Sequence, residues 1–312
     1  MVNQIGPFRR RSIFLLCIVF IVAVSAGVGM TVSANVIKID SGTSINTTIR
    51  NAGNGDIIIL NPGIYNEHDI VITKNITIRA NSSAGGSPAN TIIDGQNAGR
   101  IIDNGQGYAL TIDNLSFVNG NATGYHDDHG YENDYGGGIF VSYDGGIVKV
   151  TSSSFSNCSA AQAGGAIAAT DSGMPCCSHP SVTVLSSTFS NCSAPDGNAI
   201  FTDDATTAIH FSRFYPGTRT KVVSGAADAT NNWWGSNDDP VSQVQGAVYT
   251  PWLVLNAIAT PSTVMTSGTS VVEANFTYNS EEQYLDPALG HLPDGIPGTY
   301  STTTGSVLPV TG

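Results

Sequence analysis

Four segments of the chain, residues 108–117, 146–155, 180–189 and 206–214, end alike on a phenylalanine. Five positions before each phenylalanine stands an apolar residue: Ile112, Val150, Val184 and Ile209. Seven positions before stand Leu110, Val148 and Val182, with Thr207 in the last copy. This alternation with period two predicts strands that bury one face. Upstream of each phenylalanine, Gly137-Gly138-Ile139-Phe140, Gly164-Gly165-Ala166-Ile167 and Gly197-Asn198-Ala199-Ile200 predict a second set of strands. Ile139 to Phe155 and Ile101 to Phe117 each span sixteen residues, whereas Ile167 to Phe189 spans twenty-two. The extra residues are therefore expected in a loop around residues 174–180.

Repeats of this length, built from short strands with the same residue types at the same offsets, predict stacked coils rather than a sandwich. The expected fold is all-β, a right-handed parallel β-helix over residues 35–256. Residues 44–52 carry apolar positions at Ile45, Ile49 and Ala52 and predict a short helix that covers the open first coil. Beyond Trp252 the pattern changes. Residues 258–262, 270–278 and 298–306 alternate like strands of an immunoglobulin-like β-sandwich. Only 56 residues follow residue 256, against the roughly 100 such a sandwich needs, so a partial, truncated domain is expected over residues 257–312.

The N-terminus changes the picture from fold to compartment. Arg9, Arg10 and Arg11 precede an apolar run at residues 13–24, and small residues lead to Val32-Ser33-Ala34. This is the layout of a secretory signal peptide over residues 1–34; a retained membrane anchor is the rival reading. With the signal removed, nine basic residues face twenty-four acidic ones, a net charge of −15. Nucleic acid and anionic membranes are poor partners for such a chain. Eight Asn-x-Ser/Thr sequons, at Asn46, Asn75, Asn81, Asn114, Asn121, Asn157, Asn191 and Asn275, suit a secreted or cell-surface glycoprotein.

Several motifs resemble known families. Gly55-Asp56 followed by Pro62-Gly63-Ile64-Tyr65-Asn66-Glu67 resembles the first coil of pectate-lyase-like β-helix proteins. The Gly-Gly-Ala-Ile and Phe-Ser-Asn-Cys copies resemble repeats of the polymorphic membrane protein family, with Gly120, Cys158 and Cys192 where that family usually has Asn. Asn231-Asn232-Trp233-Trp234-Gly235 and Tyr249-Thr250-Pro251-Trp252 resemble the closing coil of adhesin-like surface proteins of methanogenic archaea. The resemblance covers residues 35 to about 256 and implies a surface scaffold that presents loops to glycans or neighbouring cells.

Chemistry enters through a few constellations. His126, Asp127, Asp128, His129, Glu132 and Asp134 crowd one connection and offer ligands to a divalent cation, Ca2+ by their carboxylates or zinc by their imidazoles. A solvated acidic loop is the alternative, and Tyr125, Tyr131 and Tyr135 there could equally stack on a sugar. For an extracellular polysaccharide lyase or glycoside hydrolase, the other function considered, Asp203-Asp204 and Asp238-Asp239 supply carboxylates. The basic residues Arg100, Lys149 and Arg213 are scattered along the sequence rather than grouped with acids. No catalytic residue is assigned. Trp233 and Trp234 are expected to split, one ring closing the core and the other exposed, because adjacent strand residues face opposite ways. Asn119, Asn157 and Asn191, each two residues after its phenylalanine, are expected to form a buried amide ladder. Cys158 and Cys192, each three after, should then lie on successive coils, either bridged or as paired free thiols, with Cys176 and Cys177 as rival partners.

Overall fold

A computed structural model describes residues 34–124, 133–142, 145–171, 178–215, 220–265 and 267–294, all within one compact unit, Ala34–Gly312. Among them, three parallel sheets of seven, six and seven strands run side by side. The chain visits the sheets in a fixed order. One coil reads Ile147–Thr151 in the first sheet, Ser154–Ser156 in the second, Ser159–Ala160 in a small two-stranded sheet and Ile167–Thr170 in the third. The next coil repeats the circuit with Ser181–Leu185, Thr188–Ser190 and Ile200–Asp203. This is the winding of a parallel β-helix, and the right-handed sense is the one such crossovers take.

The repeat sets the register. Val148 pairs with Leu110 and Val182, Val150 with Ile112 and Val184, and Phe155 with Phe117 and Phe189. Ile139 pairs with Ile167 as the spacing predicts, but on its other side with Ile102 rather than Ile101. The sixteen-residue match misplaces this strand by one position because Ile101 and Ile102 are both fully buried at the corner, so burial alone does not choose between them. Inside, the rings of Phe117, Phe155, Phe189 and Phe214 stack at 4.9, 5.2 and 5.1 Å, and Trp234 closes the column 4.6 Å above Phe214. Each such pair adds about 0.5–1.5 kcal/mol to the burial of the rings.

Between the first and second sheets the later coils turn through a left-handed residue: Asn114, Ser152, Ser186, Phe211 or Asn231, with φ between 46 and 60°. The kink re-aims the next side chain inward. A buried polar column results, in which Leu115 N–H donates to Ser153 Oγ, Ser153 N–H to Ser187 Oγ and Ser187 N–H to Ser212 Oγ, at 3.1–3.2 Å. Asn232 ends it, accepting from Ser212 N–H at 2.8 Å and donating to the carbonyls of Ile209 and Ala229 at 2.6 and 2.8 Å. The Asn-Asn-Trp-Trp motif is thus a terminating plug: Asn231 makes the turn, Asn232 satisfies the polar column and Trp234 covers the aromatic one.

A second left-handed column holds Asn119, Asn157 and Asn191, with φ of 54–55°. The expected buried amide ladder is not there. Asn157 and Asn191 are exposed, because the left-handed backbone carries their side chains to solvent while only the backbone stacks, Asn157 N–H to Ser190 O at 3.2 Å. Their sequons are therefore open to modification.

The first coil is capped as expected. The helix Ile45–Asn51 buries Ile45 and Ile49, and Ser44 caps it by accepting from Thr47 N–H. Glu67, from the Pro62–Glu67 motif, accepts from the backbone N–H groups of Ile45 and Asn46 at 2.6 and 3.0 Å, placing its charge at the positive end of the helix. Lys74 Nζ donates to the carbonyls of Arg50 and Ala52 at the other end. Tyr65 donates its hydroxyl to Ile39 O or Asn61 O, and burial, with Asp40 nearby, pushes its phenol up to about 12. Asp56 accepts backbone N–H bonds from Asn35 and Gly53, which lower its pKa.

At the far end, Leu253–Thr260 and Val271–Asn279 form an antiparallel two-stranded sheet. The expected strands at 258–262 and 270–278 are largely realised there; residues 298–306 lie outside the described residues. Trp233 and Trp234 do point to opposite faces, but neither is exposed: they keep 9 % and 1 % of their surface. The outward ring of Trp233 meets Phe276 edge-on at 4.8 Å and packs with Leu253 and Leu292. The C-terminal segment covers the ring that the alternation of the strand turns outward.

Candidate functional site

Two long connections leave the coils, and in each the described part is a fixed stem. The first runs from Ala122 to Tyr135. Its returning limb is held by Arg100, whose side chain is 1 % exposed. The guanidinium donates to Asn133 O at 2.7 Å and to Tyr135 O at 2.7 and 3.0 Å. It also pairs with Asp103 at 3.0 Å and lies over the Phe140 ring at 4.4 Å. Burial lowers its pKa, while Asp103, Asp69 and Asp134 pull it back up. Asp134, one of the cation ligands expected from the sequence, is thus buried at 8 % beside a guanidinium. His126, Asp127, Asp128, His129 and Glu132 lie outside the described residues. Asp103 stands three residues from Arg100 in the sequence; the coils add Asp69 and Asp134. The guanidinium's donors are engaged by the stem carbonyls of Asn133 and Tyr135 and by Asp103.

The second connection follows Thr170. Asp171, its side chain 2 % exposed, receives the imidazole of His179 at 3.0 Å across the base of the loop. Asp204, on the next coil and left-handed at φ 50°, approaches the same Nδ1 at 3.7 Å. The stacking is set by the backbone, with Asp171 N–H donating to Asp203 O at 3.1 Å. The three ligand atoms lie within 4.8 Å of one another. One imidazole and two carboxylates form a donor set suited to a divalent cation of the zinc or manganese kind. The site draws residues from both limbs of a loop and from a neighbouring coil, so no local sequence motif announces it. Asp204 alone was singled out from the sequence, with Asp203, which is exposed and stands apart from the cluster.

The remaining candidates have local roles. Asp238 and Asp239 shape an exposed turn, with Asp239 accepting from Val241 N–H at 2.9 Å. Arg213 lies over the Tyr215 ring at 4.7 Å and donates to Thr188 Oγ1 at 3.3 Å. Lys149 is exposed on the first sheet. Among the described residues no helix is long and apolar enough to cross a membrane. No family model, curated protein or solved structure matches the chain.

Proposed function

We propose that this chain is an exported cell-surface scaffold of the adhesin-like type, a β-helix that presents its corner loops to surface glycans or neighbouring cells. The observation that carries this reading is the anchoring of both loop stems. Arg100 fixes the limb at Asn133 and Tyr135, and Asp171 with His179 ties the two limbs of the other. Burying a guanidinium and a carboxylate costs stability unless they are fully engaged. Placing them at the stems of two connections, where the repeat itself has no need of them, fits a surface built for recognition. On this reading residues 1–34 are a secretory signal peptide, the sequons carry glycans where the host attaches them, and the C-terminal hairpin begins an immunoglobulin-like spacer.

The test is a glycan and whole-cell binding screen of the secreted chain. A variant with residues 125–132 and 172–177 replaced by short Gly/Ser linkers serves as comparison. Binding by the parent that is lost in the folded variant supports the reading; binding unchanged by both replacements refutes it. A second reading, an extracellular polysaccharide lyase or hydrolase, draws on the carboxylates of Asp171 and Asp204, which meet at the imidazole of His179. Incubation with acidic polysaccharides and calcium separates the two, since only an enzyme releases reducing ends or unsaturated products.

A further inference from the structure

Cys158 and Cys192 form no disulfide and are buried at 0 % and 4 %. The register that pairs Phe155 with Phe189 continues past the strands, because Ser193 N–H donates to Cys158 O at 2.9 Å. The two cysteines therefore sit in register on consecutive coils. Their side chains also lean the same way, Cys158 Sγ lying 3.6 Å from Ser156 O and Cys192 Sγ 3.5 Å from Ser190 O. Contact with the Cys192 thiol, then burial, raises the Cys158 pKa well above its ordinary value. The resting pair is neutral.

Spacing decides which bridge this pair suits. In-register residues of adjacent parallel strands keep the interstrand separation of about 4.8 Å along their side chains. A disulfide needs sulfurs about 2.05 Å apart and β-carbons near 3.8 Å. Closing it here would draw the two β-carbons together by about 1 Å, against the parallel lean of the two side chains. An ion bound in line by two thiolates, with metal–sulfur bonds of about 2.3 Å, spans about 4.6 Å, close to the usual separation of in-register side chains on adjacent parallel strands, about 4.8 Å. We propose that Cys158 and Cys192 form a two-thiolate site for a soft, thiophilic cation that accepts linear coordination. Soft thiolates select such ions over harder ones. Zinc is unsuited, since it wants four ligands and the pair supplies two.

Binding is proton-coupled and involves no change of oxidation state. Both S–H bonds break, two metal–sulfur bonds form and two protons leave to solvent. A divalent ion leaves a neutral unit in the apolar interior, a monovalent ion leaves one negative charge, and the neutral unit is the less costly to bury. A small pocket beside the upper cysteine, with walls that include Phe189, Cys192, Asn198, Tyr215 and Val222, is the route of entry on this proposal. It reaches the upper of the two thiols.

The experiment uses the full chain with Cys17, Cys176 and Cys177 changed to Ser, so that only the buried pair remains. Under anaerobic, thiol-free conditions Hg2+ and Cu+ are titrated separately, with Zn2+ as control, while thiolate-to-metal absorbance and proton release are followed. Expected are one ion per chain, two protons released per ion and an apparent affinity that rises about 100-fold per pH unit below the thiol pKa values. Hg2+ should bind more tightly than Cu+, and Zn2+ should give no signal. Cys158→Ala and Cys192→Ala, with Cys158→Val and Cys192→Val as better-filling replacements, should each weaken binding at least 100-fold while circular dichroism shows the fold retained. One proton per ion, binding that survives loss of either cysteine, binding only after unfolding, or conversion of the pair to a disulfide by a low-molecular-weight disulfide with no ion bound would each overturn the proposal.

Discussion

Phe155 and Phe276 are both aromatic residues in the middle of strands, and their surroundings differ in kind. Phe155 is fully buried between Phe117 and Phe189, rings nearly parallel at 4.9 and 5.2 Å. Phe276 is half-buried and touches Trp233 edge-on from one side. In the coils an inward residue such as Phe155 is backed above and below by its own equivalents, whereas the C-terminal hairpin is a sheet of two strands. Its distal half, residues 257–260 with 271–274, is exposed. The difference teaches that order in this chain comes from repetition along the solenoid axis. The hairpin is held at its base.

The largest expected effect tests that contrast directly. Phe155→Ala should cost about 3–5 kcal/mol in urea unfolding, as for other fully buried phenylalanines. Phe276→Ala should cost about 1 kcal/mol, the value of a part-buried contact. Equal losses would erase the distinction. Next is the end of the polar column. Asn232→Ala leaves the Ser212 N–H and two carbonyls without partners and should cost about 2–3 kcal/mol, with faster amide exchange at Ser212 than at Ser153. Uniform exchange along the column would show that Asn232 does not terminate it. A smaller effect than that of Asn232→Ala is expected from removing everything after Trp252. The coils should still melt cooperatively with a loss of about 1–2 kcal/mol. Trp233 emission should shift to the red while that of Trp234 stays buried. Loss of cooperative melting would make the hairpin part of the core.

The aromatic column was legible in the sequence because phenylalanine at a fixed offset has one reading, inward. The serine column was not. Ser152, Ser153 and Ser154 look interchangeable, and only the left-handed turn at Ser152 sends Ser153 inside while Ser154 stays on the outer side. The adjacency of Cys158 and Cys192 followed from the phenylalanine register. The exposure of Asn157 and Asn191 did not, since a positive φ is not written in the identity of the residue. The Asp171–His179–Asp204 cluster was invisible for a different reason: its members come from two coils and face one another only once a loop has closed. Trp233 was misjudged because period-two alternation predicts direction, whereas exposure also depends on what lies across the surface.

The terminating plug at Asn231–Trp234 has a consequence for length. The coils of Phe155, Phe189 and Phe214 present the same serine, Ser153, Ser187 or Ser212, and the same phenylalanine to the coil above, so the plug meets identical chemistry after any of them. Whole coils, such as the 34 residues from Phe155 to Phe189, can be duplicated or lost without altering either end. The molecule grows or shrinks in steps of about 4.8 Å. A partial coil would set Asn232 opposite the wrong column. The plug thus makes reach a countable, heritable quantity, adjustable by recombination between neighbouring repeats.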